Sequence, residues 1–355
     1  MPLADRALVV GINRYQGIKK LCGAENDAQN FFNWVTHPTG GGVDPGQATK
    51  ILSSNFPAAA SVNDDLPAKE QIERFFTEVD DAADANNVAG LGPKAGNRVW
   101  LFFSGHGFAP ALDTSGVLMA NATLKRIHNI AAMLWANRLY EGGWFDDVFL
   151  FQDACRNRIP NGDLTPPFLR KRQAPRNQQR RRFYAFSAKD QKLSVELPFP
   201  PPNGEKHGIF TRTLLQGLRD ARDPRTGAVT TTQLKAYLQA NMKNLLPEAD
   251  KENDDFAQAP EVFDPDPPFD IVAAPAAPQV PQFPVRIFTA AGRAARVMDG
   301  TLANELASEN PAPAEWVLRL QRGLYKLLVE GADARLFEVA GALEPDGSPR
   351  EIQVR

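Results

Sequence analysis

The first part of the chain alternates uniformly apolar runs with amphipathic segments. The apolar runs carry β-branched and aromatic residues without polar alternation, which is typical of parallel strands that helices cover on both faces. They lie at 7–13, 98–105, 147–153 and 183–188, with a weaker run at 48–54. Apolar residues recur at helical spacing over 24–35, 68–82, 126–140, 208–221 and 230–246. This alternation predicts an α/β domain with a mostly parallel sheet flanked by helices.

The pattern changes near residue 263. Acidic residues and then prolines accumulate between 248 and 284, and prolines remove backbone donors and stop helices. Beyond them, apolar and polar residues alternate on two segments joined by an Arg-Gly turn. The alternating apolar residues are Trp316, Leu318, Leu320, Tyr325, Leu327 and Val329. We therefore predict two domains, an α/β domain over 1–263 and, over 264–355, a proline-rich linker with a small all-β, sandwich-like domain.

Composition narrows the class of protein. A hydrophobic content of 43% and a charged content of 23% over 355 residues are those of a soluble globular protein. The net charge of −2 gives no reason to expect nucleic acid or an anionic membrane as a partner. Two cysteines cannot form a disulfide framework, and the N-terminal residues lack the features of a signal peptide. We therefore expect a cytoplasmic protein.

A histidine and a cysteine each follow one of the predicted buried strands. His106 follows the strand at 98–105, and Cys155 follows the strand at 147–153. Because ligands of open α/β sheets bind at the carboxyl ends of the strands, the two side chains are expected to converge there. An imidazole next to a thiol activates it as a nucleophile. The backbone N–H groups of Gly107 and Cys155 could then form an oxyanion hole, in which one donor is typically worth about 3 kcal/mol.

These motifs resemble those of the caspase-like cysteine peptidases, which include caspases, metacaspases, paracaspases and bacterial relatives. The SGHG motif at His106 precedes the DAC motif at Cys155 by about 50 residues, which is the family spacing. The resemblance also covers the first strand and helix, the segment after the cysteine and the closing helix, so it extends from residue 1 to about residue 263. It implies a caspase-like fold in which His106 is the base and Cys155 the nucleophile, with no cofactor.

The resemblance also implies a substrate preference. Asp27, Ser104 and Asp153 match the acidic pocket with which metacaspases accept arginine or lysine before the scissile bond. A carboxylate facing a buried guanidinium forms a charge-assisted hydrogen bond worth about 1.5–3 kcal/mol. The expected partner is therefore a protein substrate with a basic residue at the cleavage site. Calcium activation is known in some metacaspases, but the acidic segment lacks EF-hand spacing, and we predict no metal site.

An arginine-rich segment at 170–182 lies within the region that this family cuts during self-processing, which here is the loop 156–182. We expect autoprocessing there, with a solvated or partner-binding basic loop as the alternative. Two other functions stay open: a non-catalytic scaffold of the same fold, or an enzyme that cuts after aspartate. Family analogy further suggests a regulated bacterial signalling or defence effector whose C-terminal domain binds a regulatory partner or the substrate. Cys22, His37, His128 and His207 carry no motif and are predicted to be structural or at the surface.

Overall fold

The chain forms two compact units, Met1–Ala274 and Pro275–Arg355. The computed structural model describes residues 3–111, 114–159, 162–175, 177–199, 201, 203–223, 226–253, 255, 259–263, 267–273, 283–299, 305–320, 323–339 and 351–354. Within these residues there is no helix both long enough and apolar enough to cross a lipid bilayer.

The first unit alternates strands and helices, as the sequence pattern predicts. Its strands are β1 (Arg6–Gly11), β2 (Ala48–Leu52), β3 (Arg98–Ser104), β4 (Gly107–Phe108), β5 (Gly116–Leu118), β6 (Asn129–Ile130), β7 (Asp147–Asp153), β8 (Arg181–Phe186), β9 (Glu196–Phe199), β10 (Glu205–Gly208), β11 (Val229–Thr230), β12 (Glu261–Phe263) and β13 (Asp270–Val272). Its α-helices are α1 (Ala24–Thr36), α2 (Lys69–Val88), α3 (Ala132–Gly142), α4 (Ile209–Asp220) and α5 (Thr231–Asn241). Short 3₁₀ helices span Pro45–Gln47, Ser53–Asn55, Val62–Asp64, Met242–Leu245 and Glu248–Asp250.

The first unit is built around a central six-stranded sheet with strand order β12–β8–β7–β3–β1–β2. All its pairs are parallel except the edge pair of β12 with β8. Side chains alternate between the two faces of each strand, so β1 contributes Leu8 and Val10 to one core and Ala7 and Val9 to the other. Both faces are therefore buried, which explains the unbroken apolar runs in the sequence.

Helices cover each face of the sheet. On one face α2 and α3 pack through Phe76 and Trp135, whose rings stack with centroids 3.8 Å apart. On the other face α1, α4 and α5 pack together, and Phe31 of α1 stacks on Phe102 of β3 at 4.4 Å. This three-layer arrangement fixes the carboxyl ends of the parallel strands at one edge of the unit.

The helix predicted over 126–140 is partly wrong. Residues Asn129–Ile130 form the short strand β6, and α3 begins at Ala132. The apolar residues at 127 and 130 sit at helical spacing, but β6 pairs with β5, so a tertiary contact overrides the local pattern. The helix predicted over 230–246 ends at Asn241, and Thr230 caps its N-terminus, because the Thr230 side chain accepts a hydrogen bond from the Gln233 N–H at 3.3 Å.

The second unit is all-β. Its strands are β14 (Phe283–Phe288), β15 (Ala295–Asp299), β16 (Glu305–Glu309), β17 (Glu315–Leu320), β18 (Gly323–Val329), β19 (Arg335–Val339) and β20 (Ile352–Val354). They form two sheets, β17–β14–β20 and β16–β15–β18–β19, which share one apolar core. Trp316 and Leu320 of β17 and Tyr325 and Leu327 of β18 point into this core, as the period-two pattern predicts. Arg322 of the predicted Arg-Gly turn lies outside the described residues, and Gly323 is the first residue of β18.

Candidate active site

The register of the central sheet brings the predicted histidine and cysteine to one place. Ser104, the last residue of β3, pairs with Asp153, the last residue of β7. The Gly105 N–H donates to the Asp153 carbonyl at 3.2 Å, so the segments that follow β3 and β7 stay together beyond the ends of the strands. His106 and Cys155 each follow this pair by two residues. Both line a pocket of about 290 Å³ at the carboxyl ends of the strands.

His106 is held by the loop that follows β1. Its backbone N–H donates to the Tyr15 hydroxyl oxygen at 3.0 Å, and its ring packs on the Tyr15 ring with centroids 4.8 Å apart. Its Nε2 lies 2.7 Å from the carbonyl oxygen of Lys19. A carbonyl only accepts, so Nε2 carries a proton and Nδ1 of the neutral ring is the basic nitrogen. Burial lowers the pKa of His106, which favours this neutral form.

Cys155 is partly buried, and burial raises the pKa of its thiol. The hydrogen bonds of its sulfur in the described structure are both with the backbone of Ser194, whose N–H lies 3.4 Å from Sγ and whose carbonyl lies 3.9 Å from it. The nearby carboxylate of Asp153 also disfavours a thiolate. The resting site therefore contains a neutral thiol and a neutral imidazole in one pocket.

Gly107 packs directly against the cysteine segment. A Cβ at this position would lie 2.7 Å from the Cys155 carbonyl oxygen and 2.7 Å from the Cβ of Ala154. Only glycine allows this approach of two backbone segments. The structure thus brings the two residues predicted to form the oxyanion hole next to each other.

The base of the pocket carries two buried aspartates. Asp27, in the first turn of α1, accepts hydrogen bonds from the Ser104 hydroxyl at 3.3 Å and the Gly208 N–H at 2.9 Å. Asp153 accepts from the Ser194 hydroxyl at 2.7 Å, and its second oxygen accepts from the hydroxyl of Thr211 at 2.7 Å. Asp27 and Ser104 are therefore hydrogen-bonded to each other, whereas Asp153 is held by Ser194 and Thr211, and all three predicted residues line the same pocket.

Gly208 separates the two carboxylates. A Cβ there would lie 2.0 Å from Oδ2 of Asp153 and 3.0 Å from Oδ2 of Asp27, so these oxygens are at most about 5 Å apart. Burial, with the charge of Asp153, raises the pKa of Asp27 to about 7, and burial raises the pKa of Asp153 as well. Two like charges this close disfavour each other's ionisation, and a cation placed between them would favour the ionised forms.

Two residues at or next to this pocket carried no signal in the sequence. Glu196 of β9 lines the pocket, and its carboxylate accepts from the N–H groups of Cys22 at 3.2 Å and Gly23 at 2.7 Å. His207 of β10 is buried, and its Nδ1 lies 3.1 Å from Oδ1 of Asp27. Both belong to a hairpin that the sequence pattern did not predict, so nothing in the sequence placed them beside α1.

Among the described residues, no group of three or more histidine, cysteine, aspartate or glutamate side chains is arranged to hold a metal ion.

Comparison with known families settles the relationship of the chain. The family model described as Caspase domain matches residues 4–268. The chain belongs to the caspase family. Its first unit carries the family's parallel sheet with flanking helices, and the second unit lies outside the matched residues. Members of this family are cysteine peptidases that act on protein substrates. A comparison with curated proteins finds no match.

Solved structures of two other proteins are similar to this chain. Caspase-1 from Spodoptera frugiperda has 13% sequence identity and a TM-score of 0.44, with 74% of this chain and 88% of that chain covered. A protein from Geobacter sulfurreducens has 16% identity and a TM-score of 0.40, with 78% and 95% covered.

Proposed function

We propose that this caspase-family protein is a cysteine endopeptidase that cleaves proteins after arginine or lysine. One observation carries the proposal: three carboxylates, those of Asp27, Asp153 and Glu196, line the same pocket as Cys155 and His106. A guanidinium presents five N–H donors in a rigid fork and suits such a set of acceptors. Lys19 is the one lysine or arginine among the described residues of this lining, and an acidic side chain would be repelled by the carboxylates that are ionised.

In the proposed reaction His106 takes the thiol proton at Nδ1 as the Cys155 sulfur attacks the scissile carbonyl carbon. The N–H groups of Gly107 and Cys155 stabilise the resulting oxyanion. The Lys19 carbonyl accepts a hydrogen bond from the Nε2–H group and holds the imidazolium in place. His106 then gives its proton to the leaving amine as the C–N bond breaks and a thioester forms. A water molecule, deprotonated by His106, attacks the thioester, releases the acid product and restores the thiol.

A panel of fluorogenic peptides that differ only in the residue before the cleaved bond tests this proposal. We expect cleavage after arginine and lysine, none after aspartate, and none by the Cys155→Ala variant. The Asp153→Asn variant should lose at least about tenfold in kcat/KM for arginine, because one charge-assisted hydrogen bond is worth about 1.5–3 kcal/mol. Cleavage after aspartate would favour the alternative specificity. Failure of an arginine peptide with a thiol-reactive group to label Cys155 would favour a scaffold.

We also propose autoprocessing in the loop 156–182. The contacts of its basic residues indicate which peptide bonds are accessible for cleavage. Arg172 lies 3.8 Å over the Trp144 ring and donates to two backbone carbonyls. Arg181 forms two hydrogen bonds with the Asp147 carboxylate. Arg170 and Lys171 are exposed, and no hydrogen bond or ion pair holds either within the described structure. Cleavage after one of these two residues is therefore expected in the wild type and not in Cys155→Ala, and intact-mass spectrometry of both proteins checks it.

The wider role follows from family resemblance. We propose a regulated effector of bacterial signalling or defence in the cytoplasm, with the second unit as the binding region for a regulatory protein or the substrate. The two free cysteines support a reducing compartment. Comparison of protein N-termini in cells with wild-type or Cys155→Ala protein would identify the substrates, and an absence of new N-termini that follow a basic residue would contradict the proposal.

A further inference from the structure

A second pocket, of about 230 Å³, lies between α1 and α4 and shares one residue with the candidate active site. Asn30 and Trp34 of α1 line it together with Arg212 and Arg219 of α4. In each helix these residues are four or seven positions apart, so they lie on one helical face. The shared residue is Asp27, which lines both pockets.

The lining of this second pocket is cationic. Arg212 and Arg219 are exposed, and neither forms an ion pair with a carboxylate in the described part of the chain. The Arg212 guanidinium lies over the Phe199 ring at 5.4 Å, which leaves its N–H donors available. His207 adds a further nitrogen, since its Nε2 is 4.0 Å from an oxygen of Glu205, whose side chain is 80% exposed. Because the Glu205 carboxylate is exposed and this far from Nε2, it contributes little and is readily exchanged for another anion.

We propose that this pocket, bounded by His207, Arg212 and Arg219, binds the phosphate group of a small molecule and that its occupancy strengthens arginine binding in the neighbouring acidic pocket. Two guanidinium groups and an imidazole suit a doubly charged anion with several acceptor oxygens. The volume corresponds to roughly eight water molecules at about 30 Å³ each, which accommodates a diphosphate. The coupling part of this inference rests on the proposed arginine specificity, whereas the binding part does not.

Asp27 and His207 provide the physical link between the pockets. Oδ1 of Asp27 meets Nδ1 of His207 at 3.1 Å, and Oδ2 faces Gly208 and Ser104 in the first pocket. An anion near Nε2 favours the protonated imidazole, and this charge favours an ionised Asp27. Burial raises the pKa of Asp27 to about 7, so its charge is open to change near neutral pH. The other charged groups facing this pair in the described structure are Asp153, which opposes ionisation of Asp27, Glu205, and the pocket arginines Arg212 and Arg219.

Isothermal titration of pyrophosphate into the catalytically inert Cys155→Ala protein tests the binding. We expect saturable binding that weakens at least about tenfold in Arg212→Gln/Arg219→Gln, because two charge-assisted contacts are removed. Arg74→Gln, an exposed arginine of α2, should bind like the parent protein and controls for the loss of charge. No binding, or equal binding by the double variant, would overturn the inference. ADP, titrated in the same way, distinguishes a nucleotide from a free inorganic anion as the source of the phosphate.

Titration of an arginine peptide into Cys155→Ala with and without pyrophosphate tests the coupling. We expect pyrophosphate to tighten peptide binding severalfold and, by linkage, the peptide to tighten pyrophosphate binding by the same factor. His207→Asn should abolish this mutual effect. Peptide affinity unchanged by bound pyrophosphate would refute the coupling. Failure of the arginine peptide to bind under both conditions, with pyrophosphate still bound, would instead refute the arginine specificity and leave the anion site standing.

Discussion

Replacement of Asp27 by asparagine should make the protein more stable relative to wild type as the pH rises. Burial holds the pKa of Asp27 at about 7 in the folded protein, above the ordinary value of 3.8. A carboxyl group with a raised folded pKa adds stability that is fully present below pH 3.8. That stability is lost as the pH rises to about 7, because the unfolded chain releases the proton first.

The size of the effect follows from the pKa difference. At about 1.4 kcal/mol per pKa unit, Asp27 costs the wild type about 4 kcal/mol over the whole range and about 3 kcal/mol between about pH 5 and about pH 8. Asparagine has a similar shape and does not ionise. The free energy of unfolding of Asp27→Asn minus that of wild type should therefore rise by about 3 kcal/mol between these two pH values.

Urea denaturation followed by circular dichroism at about pH 5, 6, 7 and 8 measures this difference. Asp81→Asn, an exposed aspartate on α2, controls for the general effect of removing one negative charge. The same Asp27→Asn protein should lose about 10- to 150-fold in kcat/KM for arginine peptides at high pH and less at low pH, where wild-type Asp27 is protonated. A stability difference that stays constant across the pH range would refute the reasoning.

Three further substitutions test the framework of the site. Tyr15→Phe removes the acceptor of the His106 backbone N–H and should lower the free energy of unfolding by about 1–3 kcal/mol in urea denaturation. It should also shift the acid limb of the pH profile of kcat/KM, and an unchanged profile would contradict a positioning role for Tyr15. Glu261→Gln removes the carboxylate partner of Arg156, whose guanidinium is fully buried next to the nucleophile, and should destabilise the protein by about 3–5 kcal/mol in the same assay. A loss below about 1 kcal/mol would show that the ion pair matters little. Gly208→Ala places a methyl group 2.0 Å from the Asp153 carboxylate, so it should abolish cleavage after arginine and lower the free energy of unfolding by about 1–3 kcal/mol. Retained peptide cleavage would mean that the pocket relaxes more than its close packing suggests.

For the basic loop 156–182, the sequence indicated the charge but not which of its basic side chains are exposed. Its charge suggested an exposed segment open to self-cleavage. In the folded unit Arg172 and Arg181 are engaged with an aromatic ring and a carboxylate, while Arg170 and Lys171 are exposed. Charge is visible in a sequence, but the partners of each guanidinium lie far away along the chain.

Much of the site could be predicted because it rests on local patterns. Uninterrupted apolar runs locate β3 and β7, and residues at the carboxyl ends of neighbouring parallel strands meet at one edge. His106 and Cys155 follow these strands directly, so their common pocket needed no tertiary information beyond the order of the sheet. The caspase family motif then linked Asp27 to the same edge.

Only the tertiary structure decided what surrounds these residues. The β9–β10 hairpin brings Glu196 and His207 against α1, although about 170–180 residues of chain separate them from Gly23 and Asp27. Short strands without strong periodicity leave no local signal, because long-range pairing determines them. The same packing removes water from Asp27 and raises its pKa, which the residue type alone would place at 3.8. The sequence determined which side chains reach the pocket from the strand ends, and the packing of distant segments determined their charge, their partners and the second pocket behind them.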